Sequence, residues 1–231
     1  MLNDIITYIR ELPDYFIASL IIMMIIIVFS IFFGKHVDKL DAMKKTSKFT
    51  TMVVWFIEMM NKFIKDSIGK HWKVLAPIVI TIAMYIFISN ISGVVGAPSP
   101  TRFTAITFSL SLTAFVIVQM MGFISQGWKM LLGIFKPFPV MFPLNIISEF
   151  TPILSMALRL FGNIASGTVI LTLIYEGASL IDYAGWASVI IAPVFHLIFD
   201  IGFGFIQTMV FVLLIIIFSS NKLDERDFDT V

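Results

Sequence analysis

Long apolar runs, parted by short charged or breaker-rich segments, make up most of this chain. A bilayer core of about 30 Å needs about 20 mostly apolar residues as a helix, and five runs reach that scale. Phe16 to Gly34 (FIASLIIMMIIIVFSIFFG) is the cleanest. Asp4, Glu11 and Asp14 precede it where a signal peptide would carry basic residues, so it reads as a retained first span. Val74 to Val95 and Phe103 to Ser125 follow as a helical hairpin, parted by GAPSPT, in which Pro98 and Pro100 predict a tight turn. The last two runs, Asn145 to Glu176 and Gly185 to Ser219, are different. At 1.5 Å per residue their helices would be about 48 and 52 Å long, too long to stand upright in the hydrocarbon. Tilt, a kink or emergence must absorb the excess, with Pro152 and Pro193 as kink positions near the starts.

Between the first two spans, residues 35–73 alternate lysine with apolar positions. MVVWFIEMMNKFI (Met52 to Ile64) predicts an amphipathic helix in the membrane interface, with a partner-docking helix as the alternative. A shorter segment of the same kind, GWKMLLGIFKPFP, precedes the fourth run. The expected fold class is all-α: a polytopic membrane protein with about five transmembrane helices, the last two long and strongly tilted, plus an interfacial amphipathic helix. All 231 residues form one membrane domain, with 16–34 as first span, 35–73 as interfacial segment, 74–125 as hairpin, 143–219 as the long pair and 220–231 as tail.

Composition agrees. The chain is 58% hydrophobic and 13% charged, against about 25% charged in soluble domains, with a mean hydropathy of +0.97. That excludes a soluble enzyme and an acidic disordered chain. The 16 Lys+Arg and 15 Asp+Glu nearly cancel and are not clustered for phosphate, so no nucleic-acid partner is expected. Absence of cysteine removes disulfides, thiolate metal sites and redox switches. Lys35, Lys39, Lys44, Lys45, Lys48, Lys62, Lys65, Lys70, Lys73, Lys129, Lys136, Lys222 and Arg226 fall on one side of the predicted spans, and only Arg10 and Arg102 on the other. The positive-inside rule then sets the N-terminus outside and the C-terminus in the cytoplasm.

Arg159, the remaining cation, lies in the middle of the fourth run. A charge at the bilayer centre costs from about 2.5 to more than 10 kcal/mol, depending on the measure, so it is kept only if paired, hydrated or needed. Helical phase sets Ser155, Arg159, Asn163 and Ser166 on one polar face, with Gly162 and Gly167 beside it for close approach by another helix. In the fifth run His196, Asp200 and Gln207, four and then seven residues apart, share a face within about 40°, and Gly202 and Gly204 adjoin them. An Arg159–Asp200 bridge locking two helices is one reading. Against it, a single bridge needs no further Asn, Ser, His and Gln. His196 alone reads equally as a helix-packing residue. Glu149 is either a proton-path or Arg-supporting group or an interfacial acid favoured by the helix dipole. Glu176 and Asp182 at the outer mouth read as solvated loop acids, with attraction of cations as the alternative.

Residues 143–167, PLNIISEFTPILSMALRLFGNIASG, resemble the a subunit of bacterial F-type ATP synthases, most specifically in LRLFGN at 158–163. GFIQTMVFVLLIIIF resembles that family's closing helix and puts Gln207 on its glutamine. The resemblance implies that the long helices pack against a c-subunit ring and that Arg159 is the arginine facing the ring carboxylates between two offset half-channels. It also implies a place in the bacterial cell membrane, with peripheral-stalk b subunits and the other synthase subunits as partners besides the lipid. Where relatives carry an acid or imidazole nine residues after the arginine, this chain has Thr168. Asp200 stands where they commonly carry histidine, glutamate or a small polar group, so the relay acid has moved between helices, with His196 as helper. The ion-translocating set is thus Arg159, Asp200, His196, Asn163, Gln207, Glu149 and Ser166. Protons are the expected ion, with sodium as the alternative because the c subunit sets the choice.

No catalytic site, metal or cofactor is expected: there is no phosphate loop, HExxH or nucleophile elbow, and His36, His71 and His196 are scattered. A secondary transporter would carry an internal repeat with paired broken helices, and none is visible. An intramembrane enzyme would need a nucleophile–base pair or a metal cluster.

Overall fold

The structure, a computed structural model, describes residues 13–39, 47–93, 99–130, 201–202, 204–224, 227 and 228; within 144–177 it describes 144, 147, 150, 151, 154, 155, 157, 158, 162, 167, 169, 170 and 172–177. Five helices are complete among these: α1 (Asp14–Asp38), α2 (Lys48–Ile68), α3 (Trp72–Ile91), α4 (Thr104–Gln126) and α5 (Gly204–Ser220). Short 3-10 turns, Gly69–His71 and Pro100–Arg102, lead from α2 to α3 and into α4. The fold is an all-α, polytopic membrane protein, with Asp14–Asp38, Lys48–Ile91 and Thr104–Gln126 each long and apolar enough to cross a bilayer. α5 is a shorter apolar helix of 17 residues. In the fourth run helical residues recur from Leu144 to Gly177.

α1 shows why these are membrane helices. It buries only Ser19, Ile22 and Ile26, while Leu20, Ile21, Met24, Ile25, Ile31 and Phe32 are exposed, Phe32 by 71%. No aqueous surface carries that much continuous apolar area. In lipid the exposed side needs no cover, and the helix is held by what it does bury. A hydroxyl pair, Ser19 Oγ and Tyr85 Oη at 2.7 Å, ties it to α3, the kind of polar contact that joins helices where lipid removes the hydrophobic drive.

α3 is the centre of the bundle, packing against α1, α2 and α5. Pro77 lies inside it and has no N–H to donate to the preceding turn; Thr81 Oγ1 donates to the Pro77 carbonyl at 2.7 Å. α3 and α4 meet mainly through the turn before α4, and α5 packs against both. Small side chains make room for it: a Cβ on Gly204 would lie 2.8 Å from Asn90 Cβ, and α4 buries Ser111 and Ala114. Phe211, Ile215 and Ile216 of α5 close the core with Leu75, Val79 and Ile86 of α3 and Met121 of α4.

α2 has the expected amphipathic character but extends four residues beyond the predicted segment at each end. It packs Met60, Ile64 and Ile68 inward against α3 and α5 and leaves Phe49, Met52, Trp55, Phe56, Met59 and Phe63 exposed. It stops at Gly69, whose φ of 64° is a region left to glycine.

Candidate functional site

Of the seven expected ion-path residues, Gln207 is the one the structure describes. Arg159, Asn163, Ser166, His196, Asp200 and Glu149 lie outside the described residues, as do Thr168 and Asp182. Gln207 sits on α5 and is only 2% exposed, in a membrane helix whose other polar residue in that turn, Thr208, is also buried. Leucine would fill that position without the cost of desolvating an amide. Ile201 and Gly202, next to Asp200 in sequence, have π-helical geometry, a local widening of the helix frequent at functional sites.

A polar network joins the start of α5 to the C-terminal end of α3. Asn90 Nδ2 donates to the Gly204 carbonyl at 3.3 Å, and Thr208 Oγ1 donates to the same oxygen at 2.8 Å. Thr101 Oγ1 donates to Asn90 Oδ1 at 2.9 Å, Ser99 Oγ donates to the Ser89 carbonyl at 2.7 Å, and the Ser99 and Thr101 hydroxyls stand 2.9 Å apart. Each hydroxyl has one hydrogen. Two hydrogens therefore serve three contacts, so at any moment one of the three lacks a hydrogen. Asn90, Ser99 and Thr101 are all buried. The sequence reading missed this cluster. Its signal was present in an asparagine near the end of an otherwise apolar span, followed within about one turn's reach across GAPSPT by a serine and a threonine.

Around Arg159 in sequence, the described residues turn outward. Ser155, Leu158 and Gly162 are exposed, Leu158 by 56%, while Ala157 and Gly167 are buried. A Cβ added to Gly162 would meet nothing within 4 Å, in contrast to Gly204. Leu144, Ile147, Phe150, Leu154, Val169 and Leu173 extend the exposed apolar side, and Phe150 stacks on Phe115 of α4 with ring centroids 5.4 Å apart. The fourth run therefore meets the bundle through α4 and keeps a long apolar side open. Glu176, at the far end, is exposed. Among the described residues no group of three or more His, Cys, Asp or Glu side chains could hold a metal ion.

Residues 16–220 match the family model described as ATP synthase A chain. Similar proteins include an ATP synthase subunit a of Mycoplasma genitalium, 30% identical over 87% of this chain and 76% of its own length. One from Enterococcus hirae is 26% identical over 93% of this chain and 95% of its own length. One from Oceanobacillus iheyensis is 28% identical over 89% and 88%.

Proposed function

The chain belongs to the ATP synthase A chain family, and on that premise we propose that it is the stator channel whose two long C-terminal runs pass protons to and from a rotating ring of c subunits. It is a proton-translocating subunit of the membrane sector of a bacterial ATP synthase, works with the other subunits of that enzyme, and is not itself catalytic.

The observation that carries the finer reading is the exposed side at Ser155, Leu158 and Gly162, which brackets Arg159 in sequence and is open enough to admit another helix. An apolar side with glycine at its middle suits a ring of helices in lipid, where close approach replaces the hydrophobic drive. Arg159 then meets each ring carboxylate in turn. A guanidinium is charged at every accessible pH, so it favours the ionised carboxylate and drives off its proton. The same charge bars a hydronium from crossing directly between two half-channels. Protons must travel around with the ring, and their flow becomes torque.

On the outer side Asp200 takes up and releases the proton, with His196 beside it in sequence and Gln207, Asn163 and Ser166 as the polar wall. The Asn90–Thr101–Ser99 network abuts the same helix at Gly204. The buried Ser89 and Ser111 hydroxyls have no hydrogen-bond partner among the described residues, a condition that favours hydration. Glu149 belongs to the inner path. The cytoplasm lies at the lysine-rich end, with the peripheral-stalk b subunits on the side away from the ring. α2 rests in the interface, its Phe56 and Phe63 toward lipid and Lys62 and Lys65 toward water.

The absence of cysteine allows a direct test. Gly162→Cys, paired with a cysteine beside the carboxylate of the c subunit, is expected to give an a–c disulfide in the assembled complex, whereas Ile25→Cys on α1 gives none. An adduct from Ile25→Cys and none from Gly162→Cys overturns the assignment of the ring-facing side.

A further inference from the structure

At the lysine-rich end the chain folds back on itself. After α5, Lys222, Leu223 and Asp224 turn so that the Gln126 side-chain amide donates to the Lys222 carbonyl at 2.9 Å and the Asp224 N–H donates to Ser125 Oγ at 2.9 Å. Lys222 Nζ donates to Gln119 Oε1 at 3.2 Å. Asp227 then enters a cage formed by two distant parts of the chain. Its Oδ1 takes Lys70 Nζ at 2.5 Å, and its Oδ2 stands 3.4 Å from His71 Nε2 and accepts the Ser125 hydroxyl. Ser125 thus accepts from one tail residue and donates to another, the full capacity of a hydroxyl donor. The carboxylate is buried, 2% of the residue being exposed.

Gly69 shows how closely this tail is seated. Its φ of 64° already restricts the position to glycine, and a Cβ there would collide with the Asp227 carbonyl oxygen. A charge this deeply buried is kept where its partners are complete, and here they come from the α2–α3 turn and the end of α4. Those elements border α5 on both sides.

We propose that Lys222, Asp224 and Asp227 clamp the end of α5 and that Asp227 is a positioning residue, setting the depth and rotation of α5 and through it the alignment of Gln207 with the ring-facing side. This rests on the ion-path reading of α5 given above. A helix is stiff along its axis and rises about 1.5 Å per residue. A tail anchored at one end therefore fixes polar groups several turns away, while a released tail lets them shift by a fraction of a turn. Rotary transport needs that alignment on every step, whereas ATP hydrolysis on the partner subunits does not.

The test compares proton pumping per ATP hydrolysed by the whole complex in liposomes, for wild type, Asp227→Ala, the exchange Lys70→Asp with Asp227→Lys, and Arg159→Ala, with a native gel to score assembly. Asp227→Ala is expected to keep hydrolysis but lower pumping per ATP by on the order of tenfold, since a distant change that misplaces a reacting group by about 1 Å costs up to about a hundredfold. The exchange is expected to restore most of the loss, which general loosening of the fold would not. Should Asp227→Ala not assemble, Ser125→Ala removes one member of the cage without stranding a charge and is expected to lower coupling in the same direction. Unchanged coupling in the assembled variant, or an exchange no better than Asp227→Ala, overturns the clamp. Arg159→Ala separates the two ideas: if it is inactive while Asp227→Ala couples normally, only the clamp fails, and if it pumps normally, the ion-path reading fails.

Discussion

At the scale of single residues, the positions that do most are polar groups where apolar ones would pack more cheaply. Gln207 is buried in a membrane helix, and Asp200 and Arg159 stand in the two long apolar runs. Asp200→Asn removes the proposed titratable relay and keeps its size. Proton pumping by the complex is expected to fall by on the order of a hundredfold, within the range that positioned proton-transfer groups contribute, with assembly intact on a native gel; pumping within twofold of wild type contradicts the role. Asp227 offers a different reading because it lies outside the spans. Burial alone would raise its pKa, but hydrogen bonds from Lys70 and Ser125 and the charges of His71 and Lys70 outweigh that and hold it below the ordinary carboxylate value. A depressed carboxylate stabilises the fold above its unfolded pKa, and that contribution is lost as pH falls through the folded value. Asp227→Asn should therefore melt below wild type at pH 7 in detergent, and the gap should close only below about pH 4, the ordinary aspartate range. A gap already closed at pH 6 contradicts the cage.

At the scale of elements, two glycines predict opposite outcomes. Gly204→Ala pushes a methyl against Asn90 Cβ, which belongs to a packed helix and cannot swing away. Overpacking of this kind costs about 1–3 kcal/mol, so the melting temperature of the purified subunit is expected to drop. Gly162→Ala meets nothing, and alanine favours a helix over glycine by about 0.5–1 kcal/mol. It should leave melting unchanged or raised and still lower coupled transport, because the methyl stands on the proposed ring-facing side. Equal melting of the two variants contradicts the packing described here. Much of the helical framework was legible in the sequence. Phe16 to Gly34 falls inside α1, which runs on through Lys35, His36 and Asp38 because long polar side chains reach the interface from the last turn. Phe103 to Ser125 agrees with α4 to within a residue at each end. Val74 to Val95 was too long, since α3 ends at Ile91, a boundary that run length alone does not mark. The position of α5 between α3 and α4 was not legible, because Gly204 and Asn90 are far apart in the chain and neither carries a local pattern. The Asp227 cage was hidden for the same reason: Lys70 and Asp227 lie in charged connecting segments and Ser125 at the end of an apolar run, far apart in the chain. Six of the seven ion-path residues, Glu149, Arg159, Asn163, Ser166, His196 and Asp200, lie outside the described ones, and their reading comes from the motif and the resemblance.

At the scale of the whole molecule, the bundle is built about α3 and α5, with α1 as a lipid-facing outrigger, α2 along one flank and the fourth run reached through α4. That arrangement leaves an extended apolar side along Leu144 to Leu173 exposed, besides the lipid-facing side of α1. Its polar groups gather behind it: the Asn90 network at one end of α5, the Asp227 cage at the other and Gln207 between. The proposed stator role needs this division, with one side free for a ring to slide past and the other holding a proton path in register. Family membership supplies the machine to which such a part belongs. The most direct measurement is proton transport by the purified complex in liposomes, wild type against Arg159→Ala, with a native gel confirming that both hold a c ring. The account predicts that Arg159→Ala assembles and that coupled transport is abolished. Transport at the wild-type rate by an assembled Arg159→Ala complex would contradict it.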